Sequence, residues 1–183
     1  MRVSLIMRIL LIQCMVCAIA AADVAGVSFS DQLKVGDITL PLRGTAVQKY
    51  KVFWTVHATG WWQDPATAVL ADTPMVLELH YFHDIPATGF REATEEGFKR
   101  GCTAAEYSVL AAGLTTWNAA YVDIAAGDRY RITYAPTVGT TLTKGGVDLV
   151  TVPGYPFAQA MFGIWLGPKP VEAGHRKDLL DGT

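Results

Sequence analysis

Glu78, His80 and His83 lie within six residues of one another, a set that could ligate a metal or exchange protons. Met75, Leu77, Leu79 and Tyr81 alternate with Val76, Glu78, His80 and Phe82, the period-two mark of a strand. On a strand, residues three apart face opposite ways, so His80 and His83 cannot grip one ion without a bulge. They are read as surface or hydrogen-bonded structural histidines. Glu78 and His80 share a face and could act as an acid–base couple in a cleft, although the half-solvated face of an antiparallel strand accounts for them more simply. Glu92, Glu95 and Glu96 sit early in a helical pattern, where acidic side chains favour the macrodipole. His57 stands within the aromatic run Phe53, Trp54, Trp61 and Trp62; such a run is ordinary core or the wall of an apolar pocket, and His57 is a ligand contact only in the second case. Nothing resembles a phosphate loop, a nucleophile elbow or a zinc motif, so neither cofactor nor metal is expected.

The elements that would position these groups follow from patterning. Val24 to Phe29 reads as a strand, and Leu33–Val35 with Ile38–Leu40 as a hairpin around Gly36-Asp37. Gln48 to Trp62 reads as one long central strand bent at Gly60. After Pro86 the period lengthens: Phe90, Ala93, Gly97 and Phe98 share a helical face, and Tyr107, Leu110, Ala111, Leu114 and Trp117 line a second helix from Ala104 to about Tyr121. Arg129–Ala135, Thr140–Thr143 and Val147–Val152 follow as strands, turning at Gly139 and at Gly145-Gly146. Helices over Phe157–Leu166 and Val171–Leu180 close the chain. Strands and helices mix without regular alternation, which predicts an α+β fold, an antiparallel sheet with helices on one face.

Residues 1–22 form a separate unit. Arg2 and Arg8 precede the apolar run Ile9–Ala20, and small residues gather at Ala18, Ala20, Ala21 and Ala22, the pattern of a secretory signal peptide. The run is shorter than the roughly 20 apolar residues needed to span a bilayer, so no stable membrane span is expected after cleavage. A periplasmic or secreted location follows. Without Arg2 and Arg8 the basic residues fall from 15 to 13 against 17 acidic ones, a formal charge of −4 that does not invite nucleic acid. Residues 23–183 suit one domain. Cys102 is the only cysteine among them, so no disulfide can form within the mature chain, and a partly buried, unreactive thiol is expected.

The segment Val152 to Val171, with Pro-Gly-Tyr-Pro-Phe at its start and Gly167-Pro168-Lys169-Pro170 at its end, is the most informative stretch. Gly154 and Pro156 mark the passage from strand to helix, and Gly167 stops the helix. Phe157, Ala160, Met161 and Ile164 fall on one face. This signature resembles that of the bacterial chalcone isomerase-like proteins. Gly26-Val27-Ser28-Phe29, Leu42 to Trp62, Phe82 to Phe98, and Gly127 to Gly154 with Lys144-Gly145-Gly146 resemble the family's other blocks in the same order. The resemblance implies an open-faced β-sandwich, a large antiparallel sheet with a helical layer and a cleft between them. In plant members that cleft closes the third ring of a chalcone, whereas other members are similar to fatty-acid-binding proteins.

Ring closure requires holding a phenolate near an unsaturated ketone and stabilising charge on the ketone oxygen. The polar positions that the family uses for this fall, by resemblance, on Lys49, His57, Phe90, Gly97 and Ile164. Three of them have lost any polar side chain, and lysine lacks the bidentate fork of arginine, although it still attracts an anion as a point charge. The reading that follows is an exported, non-catalytic protein binding a small apolar acid, such as a fatty acid, in the cleft. Lys49 would meet the acid, with His57 beside it and Phe90, Phe98 and Ile164 along the tail. The alternatives are an intramolecular lyase of the chalcone isomerase type and an accessory protein that binds another exported protein.

Overall fold

The structure, a computed structural model, describes residues 21–50 and 54–182. Apart from Ala21 and Ala22, the leader expected over 1–22 lies outside the described residues, as does Phe53. The strands are β1 (Ala21–Val24), β2 (Val27–Ser30), β3 (Gln32–Val35), β4 (Ile38–Tyr50), β5 (Trp54–Gln63), β6 (Met75–Tyr81), β7 (Arg129–Ala135), β8 (Gly139–Lys144) and β9 (Val147–Val152). The helices are α1 (Ala87–Gly101), α2 (Ala104–Ala119), α3 (Tyr155–Leu166) and α4 (Ala173–Asp181). Strands β3 to β9 form one antiparallel sheet in chain order, and β1 pairs only with β2. This is the α+β architecture that the patterning predicts. No described helix is long and apolar enough to cross a membrane.

Alternation along the strands sorts the sheet into two faces. Ala46, Trp61, Leu77, Leu79, Tyr81, Tyr130, Ile132, Tyr134 and Leu142 face the helices and pack with Phe98, Trp117, Phe157 and Met161. The other face is buried too. Ala58, Trp62 and Val76 pack there against Val27, Phe29, Val35 and Leu40, so β6 is covered on both sides where one mixed face was expected. Hydrogen bonds from Trp62 Nε1 to the Ser30 carbonyl (2.8 Å) and from Arg129 Nη2 to the Ser28 carbonyl (3.2 Å) hold the β1–β2 hairpin in place. Glu78, expected beside His80 as an acid–base couple, instead accepts from Arg129 (2.5 Å) and Arg131 (2.5 and 2.8 Å). The ring of His83 stacks on Trp54 at 4.4 Å.

Two strands read from the sequence are each two. Val24–Phe29 is broken at Ala25 and Gly26, both at positive φ, into the β1–β2 hairpin. Gln48–Trp62 is divided between β4 and β5, which pair antiparallel with Tyr50 opposite Trp54. Gly60 is not the bend. It lies mid-strand, where a Cβ would come within 2.5 Å of the Trp62 ring and 2.8 Å of Phe29.

Local signals explain the helices. Thr103 and Glu106 cap α2 reciprocally, Gly154 and Pro156 open α3, and Glu172 caps α4 by accepting from the amides of Gly174 (2.8 Å) and His175 (2.7 Å). On α1 the buried face takes Thr94 rather than Ala93, because the Thr94 hydroxyl bonds Tyr121 inside the core.

Candidate functional site

Three environments hold the residues of interest. The first is a polar pocket of about 670 Å³ where α4 meets β4, lined by Thr45, Lys49, Glu172, His175 and Asp178 among others. The approach is close because Gly44 lacks a side chain: a Cβ there would stand 2.0 Å from the Leu179 carbonyl. His175 on the pocket wall and His57 behind it are 1% and 7% exposed, with ring centroids 5.4 Å apart. Thr59 Oγ1 lies 2.9 Å from His57 Nδ1 and 3.2 Å from His175 Nε2. Burial holds His57 well below the usual imidazole range, with His175 adding repulsion. Burial likewise lowers His175 to about 4, against a smaller upward pull from Glu172. Both rings are therefore neutral at pH 7. The single Thr59 proton can serve only one ring at a time, which couples their tautomers. Opposite His57 on β4 stands Gln48 rather than Lys49, and Gln48 Oε1 is buried without a partner among the described residues.

The second environment is the interface between sheet and helices. His57 meets Tyr81 edge-on at 5.5 Å, Tyr81 meets Phe90 at 5.2 Å, and Phe90 stacks on Tyr121 at 5.4 Å with Tyr130 close to each. The Tyr121 hydroxyl is held by Thr94 Oγ1 and Trp117 Nε1, each at 2.8 Å, and burial lifts its pKa to about 12. Phe98 contacts Phe157 at 5.5 Å. Ile164 fills the space over Gly97, where a Cβ would come within 2.8 Å of it. Rings and branched side chains thus occupy the space where the resemblance puts a ligand.

The third is a groove of about 490 Å³ between α2 and α3. Leu70, Cys102, Val109, Leu110, Pro156 and Ala160 give it apolar walls, and Lys169 stands at one end. Val109 is 80% exposed. Glu106, also on the wall, turns its carboxylate to the Thr103 amide (2.7 Å) and hydroxyl (2.8 Å). Lys169 makes no direct ion pair among the described residues, although its charge acts on the Glu106 carboxylate nearby. Burial pushes the Cys102 thiol up, with Glu106 adding to the shift, which keeps it protonated.

Of the five residues expected to form one site, the structure brings Lys49 to the polar pocket with His57 behind it. Phe90 is reached from there only through Tyr81, and Phe98 and Ile164 belong to the packing of the helices. His175, Leu70 and Lys169 were not singled out from the sequence. Lys169 sits inside the closing signature, whereas His175, in a polar helix, carries no pattern at all.

The chain belongs to the chalcone isomerase-like family, whose model matches residues 21–181. Its fold is similar to that of a fatty-acid binding protein of Arabidopsis thaliana, with a TM-score of 0.63 at 17% identity, covering 85% of this chain and 92% of that one. No curated protein matches the sequence.

Proposed function

We propose that this is an exported, non-catalytic binding protein for a small apolar molecule with an acidic end, a fatty acid being the simplest example. The observation that carries the reading is the α2–α3 groove. Its volume and apolar walls suit a small hydrophobic ligand, and the ammonium of Lys169 at one end gives an anion a counter-charge. The fatty-acid binding named for the Arabidopsis neighbour agrees in kind. The Lys49 pocket suits an acid less well, since two carboxylates, Glu172 and Asp178, line it, whereas the groove has one, Glu106, already engaged by Thr103. The sheet–helix interface offers packed rings instead of open volume.

Cys102, on the wall, gives a direct test. Dodecanoate should protect it from alkylation by N-ethylmaleimide and should bind in calorimetry. Lys169→Met should weaken binding about tenfold, the loss of one exposed charge-assisted hydrogen bond, while Lys49→Met should leave it unchanged. The reverse pattern would move the acid to the α4–β4 pocket. Absence of dodecanoate binding by the unaltered protein would end the reading.

A further inference from the structure

We propose that Leu70 is the end wall of the α2–α3 groove and sets the length of the chain it accepts. The inference rests on the reading of the groove as an acyl site and adds a specificity determinant to it.

The groove has distinct ends. Along α3 its lining runs from Pro156 through Gln159, Ala160 and Gly163 to Gly167, with Lys169 just beyond. Leu70 lies at the opposite end from Lys169, because its carbonyl accepts the hydroxyl of Tyr155, the first residue of α3. A ligand whose anionic head meets Lys169 therefore points its tail at Leu70.

Leu70 is held there against its own preference. Its φ is +60°, a region in which a residue with a Cβ is strained and glycine or asparagine is at ease. Such a conformation persists only where the surroundings impose it. Here they do so on both sides. Asp72 accepts the Tyr134 hydroxyl at 2.5 Å, and the buried Gln63 amide donates to the Ala68 carbonyl at 2.9 Å and to Thr67 Oγ1 at 3.1 Å. The side chain so placed packs against the main apolar cluster. A flexible loop would have let the leucine relax, whereas this one fixes an apolar stop.

Length follows from helix geometry. From Pro156 to Gly167 the axis of α3 rises about 16 Å at roughly 1.5 Å per residue. An extended backbone covers about 3.3–3.6 Å in three bonds, so a zigzag carbon chain advances about 1.2 Å per bond and a chain of about fourteen carbons spans the groove. Saturated, unbranched acids near that length are the class the groove takes.

The test is calorimetric titration of the protein with octanoate, decanoate, dodecanoate, tetradecanoate and hexadecanoate. In the unaltered protein affinity should rise to about tetradecanoate and then level off or fall. Leu70→Gly, which suits the positive φ, should extend the rise by about two methylenes, roughly tenfold for hexadecanoate. Leu70→Asn also tolerates that φ and should give the same extension, so the outcome does not hang on one variant's folding, which thermal melts would follow. If both variants bind with the unaltered length profile, Leu70 is no wall, while acyl binding itself stands. If the unaltered protein binds none of the five acids, the groove reading fails and the ruler with it.

Discussion

His57, Thr59 and His175 show how three small groups can set a protein's response to acid. Both imidazoles are depressed by burial, so the unfolded chain, with histidines near 6.5, takes up protons first as pH falls. The stability contributed by the neutral pair is complete above pH 6.5 and is lost as pH falls toward 4. For His175, from the usual 6.5 to about 4, the loss is about 3 kcal/mol. Urea unfolding midpoints should therefore drop steeply between pH 6.5 and 4, and His175→Gln should flatten that drop. An identical slope in the variant would trace acid sensitivity to other groups. His57 was noticeable in the sequence because aromatic residues surround it. His175 was not, since its hydrogen bond to Thr59 spans 116 residues and nothing local hints at a buried ring in the run Gly-His-Arg-Lys-Asp.

At the scale of elements, glycine decides how α4 meets the sheet. A methyl at Gly44 would collide with the Leu179 carbonyl at 2.0 Å, and backbone cannot swing aside as a side chain can. Gly44→Ala should cost about 2–3 kcal/mol in chemical denaturation, and by lifting α4 from β4 it should let the His175 pKa climb toward 6.5, readable by NMR titration. An unchanged His175 pKa would mean that α4 is held elsewhere. Glycine is also why some elements were legible and others not. The β8–β9 turn was plain because Gly145-Gly146 supplies the positive φ that it needs. The β4–β5 reversal was hidden because no glycine or proline separates Tyr50 from Trp54, leaving β-branched and aromatic residues that read as a continuous strand. Helices α1 to α3 were clear from period and caps. Their packing was less so, because periodicity finds a buried stripe without saying whether rings fill the space opposite it.

For the whole molecule, family and chemistry point different ways. The interior near His57 and Phe90 is filled by packed rings, and Phe90, Gly97 and Ile164 offer no donor for a developing enolate. One such donor is commonly worth about a hundredfold to a thousandfold in rate. Chalcone cyclisation should therefore proceed at the uncatalysed rate. Flavanone formed with one enantiomer in excess would overturn the non-catalytic reading. The expected leader makes a separate claim: protein-sequencing or mass-spectrometric mapping should place the mature N-terminus between Ala21 and Asp23, and retention of Met1 on envelope protein would contradict it. The β1–β2 hairpin carries a consequence in time. Its hold on the sheet comes from Trp62, which bonds the Ser30 carbonyl, and from Arg129, whose guanidinium reaches the Ser28 carbonyl 101 residues back and lies over the Phe29 ring at 5.3 Å. Contacts so distant in sequence close late. Trp62 of β5 can seat the hairpin early, but the Arg129 contacts must wait until β7 has joined β6, so in pulse-labelled refolding the amides of residues 27–30 should reach full protection after those of β5 and β6. Final docking of the hairpin would then mark the moment at which β7 has entered the sheet.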